Sequence, residues 1–471
     1  MIKKLQVSHV GCGLMVLAAL AVMLMQPFSA ELTSTAHYML GGILITLCIW
    51  VFMPFNLSYA VGGLFLALFA LIIGLSPTIV FSGFTTAAVW TLIPALFFGF
   101  ALQKTGLGKR IALTIIKLCK PSYVSLVFAW VLIGVVLSIL TPSTTVRVVI
   151  VMPIAVQCCS LCKLEKGSKG NALILLTAFG MALIPGAGWL TGIIAGPFVQ
   201  GLMDATPGLE GLVTFNSWLS VMFLPSVIVT VLLIGGSLLF LKPKEGISRE
   251  AMAAIKEQPL EKMSRHEVIA TVILTVTFAL FITSSLHGLS ISIVCIGAMI
   301  AFFLFGVLEA KEFNTGVNWD LIIFVAMALS LGSIFSETGI ADWLAGIIVP
   351  ALSPISGNPW VFVLGITVFM FIWRFADIAV FLPTIAIVIP ILPSVQEAYQ
   401  ISPLVWLPVL IMAGNAFFLA YQNIWAMMSR SIAGDRAWSN KHLGVYGIVY
   451  FIACLLALAM VIPLWINAGL F

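Results

Sequence analysis

Apolar segments long enough to enter a lipid bilayer recur along the whole chain and are separated by short polar breaks. A helix needs roughly 20 apolar residues to cross the hydrocarbon layer, and an interrupted helix inside the layer must be covered by protein. We therefore expect about 10 to 12 crossings, with the remaining apolar runs forming half-spans or re-entrant arms. The first run, Cys12–Met25, follows two lysines and is predicted to be a retained helix with a cytoplasmic N-terminus, not a signal peptide.

Composition supports an integral membrane protein. The 471 residues are 62% hydrophobic and 8% charged, whereas soluble domains carry roughly 25% charged residues. The net charge of +5 lies in the loops, so it indicates topology and not nucleic-acid binding. The longest polar segment, 242–266, is basic and is predicted to be a cytoplasmic linker between the half at 1–241 and the half at 267–471.

A polar break interrupts the apolar region at 121–162. Basic loops lie on both sides of this region, so its two ends should face the cytoplasm. The break reads Thr-Pro-Ser-Thr-Thr at 141–145. Two full helices joined outside the membrane and a re-entrant hairpin with its tip inside the membrane both fit this pattern.

The two halves of the chain resemble each other. Three segments of the first half recur in the same order, at nearly constant offsets, in the second half. Duplicated halves with Pro/Gly-interrupted helices are typical of secondary transporters. The matched pairs are Gly99–Ala112 with Gly332–Ala345, Pro153–Ile154 with Pro390–Ile391, and Ile194–Gly196 with Ile432–Gly434.

The first break supplies candidate anion ligands. Ser143, Thr144 and Thr145 offer hydroxyl groups beside the amides of a helix start, which can bind an anion or can simply cap the helix. Arg147 follows within an apolar run. A cation at membrane depth needs a partner, such as a substrate carboxylate, Asp377 or backbone carbonyls.

The second half has a corresponding polar segment. Arg374 and Asp377 are three residues apart, so they can pair on one helix or act in ion coupling. Pro383 breaks the segment and leaves Thr384 near a helix start, as the counterpart of the first break.

Each half contains a further interruption downstream. Carbonyls released there can hold a cation such as Na⁺, although glycine is also used for close helix packing. We predict that substrate is bound by Ser143, Thr144, Thr145, Arg147, Pro383, Thr384 and Asn415. The residues predicted for ion binding or coupling are Gly186, Gly188, Thr191, Asp377, Gln422 and Asn423.

Three cysteines form a cluster at Cys158, Cys159 and Cys162, without a second pair of metal ligands nearby in sequence. No metal site and no cofactor are predicted, apart from Na⁺ as a coupling ion. The five histidines are scattered near helix ends, which argues against a membrane-embedded enzyme.

With these residues placed, the sequence resembles the divalent anion–sodium symporter family of dicarboxylate, citrate and sulfate carriers. The resemblance extends from about Leu92 to Phe471 and is best at Gly99–Ala112, at the break before Val149–Ile154 and at Trp319–Trp343. It implies an all-α polytopic membrane protein with two inverted-topology repeats, re-entrant hairpins, broken helices, and scaffold and transport parts. It also implies an inner-membrane homodimer in contact with lipid that carries small anions by an elevator motion.

The family's Ser-Asn-Thr motifs are matched only in part. The first motif falls on Ser143, Thr144 and Thr145, where the asparagine is missing, and the second falls on Val380, Phe381 and Leu382, which keep none of it. Na⁺ coupling, proton coupling and anion exchange therefore all remain open. A cation/proton antiporter or a metalloid-anion permease of the same superfamily is the alternative function.

Overall fold

A computed structural model of the chain describes residues 2–243, 246–257, 259–376 and 381–471. In these ranges the secondary structure is helical, and ten helices are long and apolar enough to cross a membrane. The prediction of an all-α polytopic membrane protein is therefore confirmed. The helices of the first half are α1 Ile2–Met25, α2 Ser34–Phe52, α3 Tyr59–Ile72, α4 Pro77–Val80, α5 Ala87–Lys104, α6 Leu107–Lys117, α7 Tyr123–Leu140, α8 Thr144–Leu161, α9 Lys169–Leu183, α10 Ala195–Asp204 and α11 Phe215–Leu241.

The linker contains one short helix within its described part, and the second half follows it. The helices are α12 Arg249–Lys256, α13 Arg265–Ile282, α14 Ser284–His287, α15 Ile291–Leu304, α16 Trp319–Thr338, α17 Ile340–Ser356, α18 Pro359–Trp373, α19 Leu382–Val388, α20 Leu392–Tyr399, α21 Trp406–Gly414, α22 Ile424–Ala433 and α23 Asn440–Asn467.

Helices α5 to α11 and helices α16 to α23 follow the same order. In each series a long helix, a kinked junction, a hairpin, a broken helix and a final long helix succeed one another. The junctions between α5 and α6 and between α16 and α17 are made by Gly106 and Gly339, with φ of 79° and 73°. This left-handed conformation is costly for residues with a Cβ atom, which explains why the glycines recur in the two matched segments.

Two hairpins interrupt the helices; the first has its tip inside the protein, and Phe381, where the described part of the second begins, is 1% exposed. Helices α7 and α8 form the first hairpin, and Thr141 at its tip is 1% exposed. Helix α18 and the pair α19 and α20 form the second, where a 3-10 turn at Ile389–Ile391 separates the last two helices. A loop between two full crossings would lie in water, so the buried first tip corresponds to the re-entrant alternative.

Helix α9 lies at the centre of the first half. It packs against α7, α8 and α11, and its residues from Gly170 to Leu183 are all buried. It ends in two 3-10 turns, Pro185–Gly188 and Leu190–Gly192, before α10 begins. In the second half α21 ends at Gly414, and a 3-10 turn at Ala420–Gln422 precedes α22. The two broken helices therefore bring irregular backbone into the interior, next to the hairpins.

Candidate functional site

Side chains of the first hairpin tip form hydrogen bonds with backbone amides of the same tip. Ser143 is the N-cap of α8, because its Oγ accepts a hydrogen bond from Val146 N at 3.3 Å. The Ser143 amide in turn donates to Thr141 Oγ1 at 3.1 Å. The first-turn amides of Thr144 and Thr145 have no partner within the helix, as at any helix start. The tip therefore presents two amides and two hydroxyls at the positive end of a helix dipole.

Arg147 is completely buried behind this tip. Its Nη1 donates to the Gly192 carbonyl at 2.8 Å and its Nη2 donates to Thr144 Oγ1 at 2.8 Å. Among the described residues its Nε has no hydrogen-bond partner, and no carboxylate forms an ion pair with it. The guanidinium thus connects the first hairpin to the first broken helix while its charge meets neutral groups.

The absence of a side chain at Gly186 makes room for this guanidinium. A Cβ atom at position 186 would lie 2.5 Å from Arg147 Nη1 and 2.5 Å from the Gly192 carbonyl oxygen. At Gly188 a Cβ would lie 3.5 Å from Ser226 Cβ, an ordinary contact. The two glycines of the same turn therefore differ in role: one permits the arginine contact and the other does not touch it.

The second half repeats the arginine contact. Arg374 is 2% exposed, and its guanidinium donates to the Gln422 carbonyl and lies 5.4 Å from the centre of the Phe381 ring. In the first half 45 residues separate the arginine from its carbonyl, and in the second half 48 residues do. Each hairpin therefore places a cation on a carbonyl of the broken helix in its own half.

A cavity of about 150 Å³ lies between the two hairpins and the helices α3 and α16. Thr144 and Thr145 of the first tip line it together with Asn415 at the end of α21. The second tip contributes aliphatic and aromatic groups. Other lining residues are Phe381, Leu382 and Ile385 from the second hairpin, Tyr59 from α3, Asn318 and Asp320 at the start of α16, and Trp425 from α22.

Four of the seven residues predicted for substrate binding do not line this cavity, namely Ser143 and Arg147 of the first hairpin and Pro383 and Thr384 of the second. Thr384 lines a second cavity of about 540 Å³, where its Oγ1 accepts a hydrogen bond from Trp373 Nε1 at 3.0 Å. This second cavity lies among α17, α18, α19 and α20 and is lined almost entirely by apolar side chains. Pro383 is buried at the start of α19 and lines neither cavity. Asp377, like Val380 of the expected second motif, falls outside the described residues.

Of the residues predicted for ion binding, Asn423 and Gln422 make structural contacts at the second interruption. Asn423 is the N-cap of α22, and its Oδ1 accepts from the amides of Trp425 and Ala426. Gln422 Oε1 accepts from the Leu419 amide at 2.9 Å. Thr191 is buried, and its hydroxyl has no hydrogen-bond partner among the described residues.

Several residues of the cavity wall were not predicted as site residues from the sequence, among them Tyr59, Asp320 and Trp425. Tyr59 and Asp320 come from helices outside the two hairpins, and Asp320 Oδ1 accepts a hydrogen bond from the Ala60 amide at 2.8 Å. Trp425 Nε1 donates to Thr145 Oγ1 at 3.1 Å, across 280 residues of sequence. A tryptophan directly after a polar break was the only sequence signal available for this contact.

Comparisons with known proteins agree with this architecture. The sequence model of one family, described as Sodium:sulfate symporter transmembrane region, matches residues 8–468. The chain is 25% identical over 302 residues to the chloroplast dicarboxylate transporter 1 of Spinacia oleracea, covering 62% of this chain and 52% of that protein. It is 24% identical over 342 residues to the citrate/succinate antiporter of Escherichia coli (strain K12), covering 70% of this chain and 68% of that protein.

The chain spans about half the length of the curated chloroplast relatives that it matches. The fold is also similar to the crystal structure of the Alcanivorax borkumensis YdaH transporter, described as having an unusual topology. The TM-score is 0.56 at 15% sequence identity, and the match covers 83% of this chain and 88% of that one.

Proposed function

The chain belongs to the sodium:sulfate symporter transmembrane family, and on this premise we propose that it is a secondary carrier that exchanges small di- or tricarboxylates without Na⁺. The observation that carries the proposal is the buried guanidinium of Arg147, which meets a carbonyl and a hydroxyl but no carboxylate among the described residues. A buried cation without an anion is costly, and an anionic substrate in the adjacent cavity lowers that cost.

The cavity suits a small anion. Pockets for drug-sized ligands enclose roughly 300–1,000 Å³, whereas this cavity encloses about 150 Å³. Hydroxyls and helix-start amides at Thr144 and Thr145 are donors to carboxylate oxygens. The matched relatives are by name dicarboxylate and citrate/succinate transporters, which supports the same substrate class here.

Arg147 acts on the substrate through its charge in this proposal. Its guanidinium is completely buried and is not part of the cavity wall. It bonds Thr144 Oγ1, a wall residue, so it holds the tip in place and gives the cavity a positive potential. At low effective dielectric this potential attracts a carboxylate without a direct contact.

The two arginines also supply the argument against Na⁺. Carbonyls at a helix interruption are the groups that would hold Na⁺. The carbonyls of Gly192 and Gln422 instead accept hydrogen bonds from Arg147 and Arg374. We propose that these permanent cations replace a coupling ion that would be bound and released in each transport cycle.

The cavity wall suggests how the substrate moves. Thr145 and Trp425 belong to the hairpin and broken-helix elements, while Tyr59 and Asp320 belong to α3 and α16. We propose that α7 to α10 and α18 to α22 form the moving part and that α3 and α16 belong to a fixed scaffold, as in an elevator mechanism. The inner-membrane location, the cytoplasmic N-terminus and the homodimer expected from the sequence belong to the same proposal.

Uptake by the purified protein in proteoliposomes tests the proposed function. Vesicles are loaded with unlabelled succinate, citrate, sulfate or buffer alone, and entry of labelled succinate, 2-oxoglutarate, citrate or sulfate is followed with Na⁺ and pH gradients varied separately. We expect rapid entry only with a carboxylate inside, and the same rate in Na⁺ and in K⁺. Na⁺-dependent uptake into vesicles loaded with buffer alone would indicate symport instead of exchange. Absence of anion uptake under all conditions would overturn the proposed function.

A further inference from the structure

Two tryptophans bond the hydroxyl groups of two hairpin threonines. Trp425 Nε1 lies 3.1 Å from Thr145 Oγ1, and Trp373 Nε1 lies 3.0 Å from Thr384 Oγ1. The surroundings of the two pairs differ. Trp425 and Thr145 line the 150 Å³ cavity, whereas Trp373 and Thr384 line the apolar one. The same bond therefore occurs once at the candidate substrate site and once away from it.

The bond restricts the direction of the Thr145 hydroxyl proton, which cannot point toward the indole. An indole N–H donates a hydrogen bond and cannot accept one, whereas a hydroxyl can do both. Thr145 Oγ1 must therefore accept from Trp425 through a lone pair, and its own proton is left for another acceptor. No described residue accepts that proton. The side chain is half-buried at the wall of the cavity, so an acceptor can reach it there.

The position of Trp425 is fixed by the second interruption. Asn423 Oδ1 accepts from the Trp425 amide at 3.1 Å and from the Ala426 amide at 3.1 Å. Asn423 Nδ2 donates to the Asn415 carbonyl at 3.4 Å, and Asn415 itself lines the cavity. The N-cap of α22 therefore holds the indole against the tip of the other half.

We propose that Trp425 is a positioning residue that makes Thr145 a hydrogen-bond donor to a carboxylate oxygen of the substrate. The inference rests on the proposed function. Without the indole N–H, the hydroxyl would be free to rotate and to present its lone pairs, which repel an anion. The second half of the chain thus determines how a ligand of the first half binds, although the two residues are 280 positions apart.

Trp425→Phe removes the N–H group and keeps an aromatic ring. We expect the KM for succinate to rise about 3- to 10-fold, the ratio that corresponds to one hydrogen bond, with kcat nearly unchanged. Thr145→Val should raise KM at least as much, and Thr145→Ser should stay close to the wild type. Because the indole acts through Thr145, Trp425→Phe combined with Thr145→Val should have the KM of Thr145→Val alone.

Trp373→Phe is the matched control, since it removes an equivalent bond at the apolar cavity, and its KM should equal that of the wild type. An unchanged KM in Trp425→Phe, or effects that multiply in the double variant, would overturn the inference. If Trp425→Phe does not fold, Thr145→Val still tests it, because an unchanged KM in that variant contradicts the role of the hydroxyl. Failure of the wild type to carry any anion would instead contradict the proposed function.

Discussion

At the scale of single residues, the buried charge of Arg147 carries a large electrostatic cost. A cation at membrane depth costs at least about 2.5–3.5 kcal/mol on insertion scales, and Arg147 has neutral partners, Gly192 O and Thr144 Oγ1. Its guanidinium bonds two elements in different directions, which the single point charge of a lysine cannot reproduce. We therefore expect transport to need both the charge and the geometry of arginine at this position.

We expect Arg147→Ala and Arg147→Lys both to lose anion uptake, by about 10-fold or more, since a hydrogen bond of a charged group contributes about 1.5–3 kcal/mol. Initial uptake rates in proteoliposomes measure the loss, and gel filtration verifies that the variants remain folded. Lys311→Ala, at an exposed ion pair with Glu309, should transport normally. Wild-type uptake by Arg147→Lys would show that charge alone suffices.

The sequence predicted that Arg147 needs a compensating partner, but it did not identify that partner. A lone cation in an apolar run must be compensated, and backbone carbonyls were among the three partners considered. The actual carbonyl, at Gly192, lies 45 residues away, a contact that no local pattern encodes. Trp425 was missed for a related reason. In an apolar sequence nothing distinguishes a functional tryptophan from one that packs in the core. The contact between Trp425 and Thr145 exists only in the folded chain.

At the scale of helices and turns, the places where helices begin and end were easier to predict from the sequence than the directions in which their side chains point. The junction glycines Gly106 and Gly339 could be matched because a left-handed backbone restricts the residue type. The residues of the second tip could not. Leu382 and Ile385 are three positions apart and face the 150 Å³ cavity together, while Thr384 faces the 540 Å³ cavity. Counting residues locates the start of a helix, but it does not show how the helix is rotated about its axis or which side chains face the cavity.

The turn after α9 provides a prediction at this scale. Gly186→Ala would place a Cβ 2.5 Å from Arg147 Nη1 and from Gly192 O, so the arginine contact must be displaced. We expect uptake to fall about 10-fold, as for loss of a charged hydrogen bond. Gly188→Ala, two residues further in the same turn, meets Ser226 Cβ at an ordinary 3.5 Å and should keep uptake within about twofold of the wild type.

Parallel measurement of the two alanine variants, each with its midpoint of thermal unfolding, separates a local effect from general destabilisation. Equal uptake by both variants would mean that the guanidinium does not need its present position. A loss in Gly188→Ala alone would assign the function of the turn to packing against α11.

At the scale of the whole molecule, the linker is tied to the first half. Arg110 on α6 binds Glu267 at 2.6 Å and donates to the carbonyls of Glu261 and Lys262 at 2.6 and 3.2 Å. Helix α12 of the linker packs against α6 and α8. The polar segment that separates the two halves in sequence therefore lies against the first hairpin in space.

Arg110→Ala should release this segment. We expect trypsin to cleave faster after Lys256, Lys262 or Arg265 than in the wild type, because local opening exposes these bonds. Lys109→Ala changes an exposed neighbour on the same helix and should be cleaved like the wild type. Cleavage in inside-out but not in right-side-out vesicles would support the cytoplasmic location of the linker, and the reverse pattern would contradict it.

The two arginine–carbonyl contacts have a consequence for bioenergetics. Each guanidinium is bonded within its own half, to Gly192 O and to Gln422 O, so in the proposed exchanger these charges never leave the protein. Swapping one dianion for another then moves no net charge across the bilayer. A membrane potential, which supplies about 2.3 kcal/mol per elementary charge and 100 mV, would do no work on such a cycle, and accumulation of one anion would depend entirely on the gradient of the other.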